Sequence, residues 1–454
     1  MSTRHEAEST MTGETKKEGT EMTTRSSKEK LTWSKMTRAL AAGLLVAGMI
    51  AALSLMPAPS ADAATTFTVN RTADTPDANL SNAACDVNTT ASGKQCTLRA
   101  AIQQANANNN PTETDLINFN IPDSIDPGVK TISPGSSLPS IEEPVIIDGY
   151  SQPGSSVNTL AKATNAKLLI ELNGKDTITR GLNVFASNSV VRGLVIRRFT
   201  DIGINNAPNG DLLTNVRIEG NFIGTNASGT SALGNGAGVD FFAVANSTIG
   251  GTSRASRNLI SGNKFEGVFI EGGGNFGQGS ADNNLIQGNL IGTQKDGVTA
   301  LGNGNAGVAL LSDADGNRIL SNSIFANGAL GIDLGNNGPT ANDPGDTDTG
   351  SNRLQNFPVI SSAKTISGTT TIAGTLNSRP FELYTIQFFS SPSGDEGQTF
   401  IGQKVVATDS SGNATFSFTP TTAVALGRQI TATATRQATG DTSEFSAAKQ
   451  VTAS

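Results

Sequence analysis

The sequence predicts an all-β chain: a parallel β-helix solenoid with a small N-terminal helical cap and a C-terminal β-sandwich. Three features predict it. Residues 221–236 (NFIGTNASGTSALGNG) recur as residues 289–304 (NLIGTQKDGVTALGNG), an internal repeat with an offset of 68 residues. Shorter echoes of the form Asn-x-Ile-x-Gly/Ser-Asn surround it at 258–263, 284–289 and 317–322, with 216–221 as a variant. Beyond residue 356 the pattern changes to period-two alternation, the mark of half-buried strands. Strands of about three to five residues cannot hold a core alone, but stacked coils bury the aliphatic positions and satisfy one another's backbone groups. Ile218, Ile260, Ile286 and Ile319 are expected to point inward. The repeated asparagines are expected to stack their amides at coil corners, where their tolerance of left-handed backbone also suits a tight turn. Glycine, 50 of 454 residues, serves the same corners. An aromatic content of only 5% fits a narrow interior, whereas a β-propeller needs more regular spacing and more aromatics.

Taken in order, residues 1–63 read as a secretory signal: a basic flank at Lys35 and Arg38, an apolar run over 39–55, and an Ala-x-Ala exit. An uncleaved anchor is the alternative, although 17 apolar residues are marginal for a span. Cleavage after Ala63 removes His5 and Trp33, the chain's one histidine and one tryptophan, and leaves 24 Lys and Arg against 32 Asp and Glu, a net charge of −8. No second membrane-length apolar run follows. No basic patch interleaved with aromatics appears, which argues against a nucleic-acid partner. The expected location is extracellular, either free or associated with the cell envelope.

Residues 64–120 read as the capping region, with a strand at Phe67–Asn70 and a helix over Leu98–Asn106 capped by Thr97. Cys85 and Cys96 enclose a polar, turn-rich stretch that suits a small disulfide loop outside the cytoplasm. A metal site there is the weaker reading, since no histidine can complete it. Residues 121–335 form the solenoid. Strands are expected at Leu116–Phe119, Val145–Ile147, Lys167–Glu171 and Val190–Ile196. Residues 336–356 are an Asp/Gly/Asn-rich linker. Residues 357–454 contain strands at 371–376, 383–389, 402–407, 414–419 and 429–435, with a turn at Asp409–Asn413, and suggest an immunoglobulin-like or fibronectin-like sandwich. A helical cap at one end and a sandwich at the other block end-to-end stacking, so a monomer is expected.

The stretch Phe67–Asp77 (FTVNRTADTPD), Cys85 and the run Cys96–Ile102 (CTLRAAI) resemble the secreted bacterial proteins that open with a CSLREA-type domain and continue as a right-handed parallel β-helix of pectin-lyase-like shape. Thr97 stands where that family has Ser, and Ala100 where it has Glu. Residues 147–154 (IDGYSQPG), 331–335 (GIDLG), 352–359 (NRLQNFPV) and 431–445 are also similar to family segments. The resemblance spans nearly all of the chain after residue 63. It implies the architecture and brings little established activity.

The fold invites a polysaccharide lyase or hydrolase. The galacturonan hydrolases of similar shape share clustered Asp residues, a Gly-His-Gly and an Arg-x-Lys. After residue 63 this chain has no His, no Asp-Asp and no Arg-x-Lys, so that class is excluded. A calcium-assisted lyase acting on an acidic polysaccharide stays open as the alternative. It would draw on Arg192, Arg197, Arg198 and Arg217 with Asp201, Asp211, Glu219 and Asp240. Glu266 and Glu271 on one extended strand would lie about 17 Å apart, too far for a glycosidase carboxylate pair. Asp343, Asp346, Asp348 and Asn352 offer alternating oxygens around turn glycines, a candidate structural calcium site, although no bidentate Glu completes an EF-hand pattern. A solvated turn-forming linker is the plainer reading. Asp313 and Asp315 belong to a shorter corner turn, and Asp333 is placed to cap the last coil or contact the linker. The function expected first is therefore a secreted non-enzymatic structural or surface-binding protein that contacts envelope or extracellular glycans.

Overall fold

The computed structural model describes residues 64–108, 112–208, 212–273, 279–312 and 314–453. Residues 1–63, over which a signal is expected, lie outside the described residues with His5 and Trp33, as do Asp211 and Asp313. Three parallel sheets wind into the coils of a β-helix. Sheet A has eight strands, beginning with Thr66–Val69 and Asp115–Phe119 and ending with Leu285–Gln287 and Arg318–Leu320. Sheet B has seven, from Lys130–Ile132 to Ser323–Ile324, and sheet C six, from Arg180–Val184 to Ile332–Leu334. Register stacks like on like. Ile218, Ile249, Ile286 and Ile319 align in sheet A, Ile196, Ile223, Ile260, Ile291 and Ile324 in sheet B, and Ile204, Val239, Val268, Val308 and Ile332 in sheet C. All are buried in one continuous core.

The four isoleucines expected inside are inside, but they do not share one sheet. Ile260 belongs to sheet B, and the 258–263 echo lies one side further round the coil than its look-alikes. The same six-residue pattern serves two sides because both run from one buried Asn to the next.

Asparagine takes two separate corner roles. Asn221, Asn258, Asn289 and Asn322 form a buried ladder. Each lower Asn donates Nδ2 to the Oδ1 of the next, at 2.9–3.3 Å, and its backbone N–H donates to the same oxygen. A second ladder joins Asn235, Asn263, Asn303 and Asn327 in the same way. A third runs through Ser247, Asn284 and Asn317 by backbone donation to Oδ1. None of these ladder residues has positive φ. The left-handed corners fall to Asn188, Asn215, Asn246 and Asn283, φ +50° to +60°, all exposed. Successive ladder residues are 37, 31 and 33 positions apart, so the 68-residue repeat spans two coils.

Sequence and structure differ at two strands. The run 190–196 divides into Val190–Arg192 on sheet A and Leu194–Arg197 on sheet B, because Gly193 turns the corner at φ +73°. A Cβ there would meet the Tyr150 backbone N at 2.7 Å. The strand expected at Lys167–Glu171 begins at Ile170, while Lys167 bridges Ser156 instead. Both misreadings have one cause. The outer side of sheet B is also apolar, with Leu168, Val195, Phe222, Leu259 and Leu290 in a second buried cluster under loops. Strands buried on both faces show no alternation.

At the N-terminal end, helix α1 (Leu98–Asn108) lays Leu98, Ala101, Ile102 and Ala105 on the core. Thr97 caps it, accepting from Ala100 N at 3.1 Å. Cys85 and Cys96 are disulfide-bonded. Arg99 forks onto Asp74 with two 2.9 Å bonds, joining the two similar segments noted above.

The C-terminal region has antiparallel sheets of three and four strands, packed around Tyr384, Ile386, Phe388 and Phe416. All five expected strands are present. Val359–Ile366 and Lys449–Gln450 were not anticipated. The Asp409 turn closes as expected, its Oδ1 accepting from Ser411 N and Asn413 N.

The sandwich and the 336–356 segment together finish the solenoid. Asn352 Oδ1 accepts from Asn317 N and so ends the third ladder. Glu396 accepts from Asn327 N and Nδ2 and ends the second. Gly316, Ile319 and Leu334 donate their backbone N–H to Asp441, Thr442 and Glu444 respectively.

Asn258→Ala removes a buried side-chain amide whose four partners, Asn221 N, Asn221 Nδ2, Ile218 O and Asn289 Oδ1, lie on adjacent coils. It should cost about 3 kcal/mol. Asn215→Gly, at an exposed left-handed corner, should cost less than about 1 kcal/mol. Denaturant unfolding of the two variants checks the division of roles; equal losses would contradict it.

Candidate functional site

The charged residues grouped for a lyase are dispersed. Arg192 pairs with Asp148 at 2.8 Å on the outside of sheet A, Arg197 with Glu171 at 2.6 Å on sheet B, and Arg198 with Asp176 at 2.6 Å at the turn after it. Asp201 is held by Arg180 at 3.1 Å, and Glu219 accepts from the Ser256 hydroxyl. Arg217 is exposed on sheet A. Three sides of the coil thus share residues that one catalytic groove would have to collect.

Asp240 differs from the rest. It sits on the outer face of sheet C, where residues alternate in and out: Val239 and Phe241 are core, Asp240 and Phe242 are not. In register, Asp240 lies beside Asn205 of the coil before and Phe269 of the coil after, and Phe242 beside Glu271. The Asp240–Glu271 diagonal spans about 8 Å between Cα atoms, from strand spacing and rise. Sequence spacing missed this pair, because the partner of Glu271 comes from the neighbouring coil and not from Glu266. Glu266 is instead held by the Asn305 side chain. Asp240 Oδ1 is shut off from solvent and has no hydrogen-bond partner. Burial, then the Glu271 charge, pushes its carboxyl up to about 8; Asp201 and Glu266 add to this, and Arg180 opposes it. Burial also raises Glu271.

The linker aspartates do come together. Asp343, Asp346 and Asp348 each bring a carboxylate oxygen within 4.8 Å of the others. Asp346 is 2% exposed; it accepts from Asn356 N through Oδ1 and from the Ser378 hydroxyl through Oδ2. Asp343 Oδ2 accepts twice from Thr347, while Asp343 Oδ1 and Asp348 Oδ1 are buried and unpartnered. Desolvation raises both Asp346 and Asp348, and for Asp348 the other two carboxylates add to it. Asn352 is engaged elsewhere: besides its ladder contact it donates Nδ2 to Asn317 O and Thr442 O. Asp333 accepts from Asn337 N and Gly338 N of the linker, and Asp315 pairs with Arg353.

Fold and surface together define a parallel β-helix closed at one end by a β-sandwich, of a kind compatible with a structural or binding protein or with an enzyme. No family model matches the chain, and no curated protein matches it. Among the described residues no helix is long and apolar enough to cross a membrane.

Asp240 sets a pH test. A carboxyl raised from 3.8 to about 8 in the fold favours the folded state most below about pH 4, and that contribution is lost as pH rises through 8. Asp240→Asn should therefore match the parent near pH 4 and become progressively more stable than it as pH rises to 8. Thermal unfolding across this range reads the difference; a constant offset would refute the assignment.

Proposed function

We propose that the chain is a secreted scaffold that binds extracellular or envelope glycans along the outer face of sheet C. The observation that carries this reading is the register there, which sets Asp240 against Phe269 and Phe242 against Glu271. Carboxylates accept from sugar hydroxyls, and apolar ring faces cover the C–H faces of a pyranose, the usual mixture in a polar-ligand site. Kinship with the CSLREA-type, pectin-lyase-like proteins belongs to the same proposal. The Asp74–Arg99 fork and the Cys85–Cys96 bridge support it, since each ties together two of the similar segments. A monomer follows from the covered last coil and the helix at the first.

Calcium is proposed at Asp343, Asp346 and Asp348. The two unpartnered buried oxygens fit a cation. With three carboxylates against the six to eight oxygens calcium prefers, carbonyls or water would complete the shell. Bound calcium would fix the linker that carries the ladder-ending Asn352. At 100 times its Kd, calcium should raise stability by about 2.7 kcal/mol, read as a Tm increase that chelator reverses. Asp348→Asn should lose most of that increase, and a Tm indifferent to calcium would overturn the site.

A second reading, an enzyme acting on a bound polysaccharide, rests on the Asp240–Glu271 diagonal, which sets two carboxyls of raised pKa on one outer face. Retention of the protein on immobilised neutral and anionic polysaccharides, with and without calcium, separates the readings. Binding without new chain ends, weakened about tenfold by Phe269→Ala (about 1.4 kcal/mol), is the expected result. New reducing ends would favour hydrolysis, and unsaturated products would favour a lyase. Absence of both retention and cleavage would leave a purely structural role and overturn glycan binding.

A further inference from the structure

Away from sheet C, the A-to-B corners of three successive coils floor a groove of about 490 Å³. Gly251–Arg254 with Arg257, Gln287–Leu290 and Ser321–Ser323 supply the floor; Ala161–Lys162 and Asp296–Val298 form loop walls, and the sandwich residues Gln398–Phe400 close one end. The volume suits a small ligand. The end wall is fixed in place, because Gln398 Nε2 donates to Val298 O at 3.1 Å and Ser321 N donates to Gln387 Oε1 at 2.9 Å.

The lining is unbalanced in charge. Lys162, Arg254 and Arg257 all face the groove, and none of them forms an ion pair among the described residues. Arg257 is structural: it donates to the carbonyls of Leu160, Ala161, Ala163 and Gly288, which anchors the loop that carries Lys162. Burial and the adjacent Arg254 charge lower its pKa. Arg254 spends one Nη1 bond on Thr159 O and is otherwise available, as is exposed Lys162. The groove's carboxylate, Asp296, is committed to its own turn, accepting from Val298 N, Thr299 N and the Thr299 hydroxyl. Ser323 Oγ is buried there without a partner. Gln287 and the half-buried ring of Phe400 complete the wall.

We infer that this groove is a second binding site, for an anionic sugar unit. Its acidic group is taken by Lys162 and Arg254, and its ring lies between Phe400 and the amide and hydroxyl of Gln287 and Ser323. The site is separate from the acidic face of sheet C and does not rest on that reading. A carboxylate, a phosphate or a sulfate on the sugar presents the same chemistry to these donors.

The test is calorimetric titration of the full chain with glucuronate, glucose 6-phosphate, glucose 6-sulfate and glucose. At least one charged sugar should bind at least tenfold more tightly than glucose, with affinity falling as salt rises. The one that binds tells the sources apart. Lys162→Gln with Arg254→Gln should lower that affinity at least tenfold while Tm stays unchanged. Lys162→Glu alone, at an exposed position, should do the same and guards against misfolding of the pair. Equal affinity for glucose, indifference to both variants, or no binding by any of the four would overturn the proposal.

Discussion

A buried amide at each coil corner is the constraint on which the rest of this structure depends. Where the chain turns between sheets A and B, a backbone N–H is carried out of reach of water and of its own sheet. The Oδ1 of the next coil's asparagine accepts it, and the same oxygen accepts the side-chain amide. Leaving such donors unmet costs about 1–3 kcal/mol each, so every coil requires a particular residue in the coil above it. The last coil has no coil above it. Its need is met from outside the solenoid, by Asn352 of the linker and Glu396 of the sandwich. Burial pushes the Glu396 carboxyl up to about 7, against the opposing pull of the Asn327 amides.

Much of this was legible in the chain. The repeat announced the solenoid because stacked coils reuse one solution, and the aliphatic positions announced the core. Thr97 was readable as a cap because capping is local chemistry. What could not be read was whatever depends on the neighbouring coil. Ile260 was grouped with Ile218 because the two hexapeptides look alike, and only register assigns them to different sheets. Val190–Ile196 looked continuous because loops cover the outside of sheet B, which erased the alternation that would have marked the Gly193 corner.

The candidate sites divide along the same line. The linker aspartates lie within six residues of one another and were found by spacing, although Asn352 left their company for the ladder. Asp240 and Glu271 belong to different coils, and the basic groove draws on loops more than 200 residues apart in sequence. Several of the charges first grouped for a lyase are neutralised locally, as in Arg192–Asp148 and Arg198–Asp176.

The two-coil repeat has a consequence for how such a chain changes length. The first two ladders, the left-handed corners at Asn215 and Asn283 and the loops at 225–232 and 293–300 come back into step after 68 residues, and Lys295 N donates to Gly229 O to stack one loop on the next. A duplicated or deleted segment of that size would leave every corner amide facing another amide and the sandwich facing the same terminal rung. The solenoid can therefore lengthen or shorten in whole units, whereas a change of a few residues within a strand would put two of its three sides out of phase.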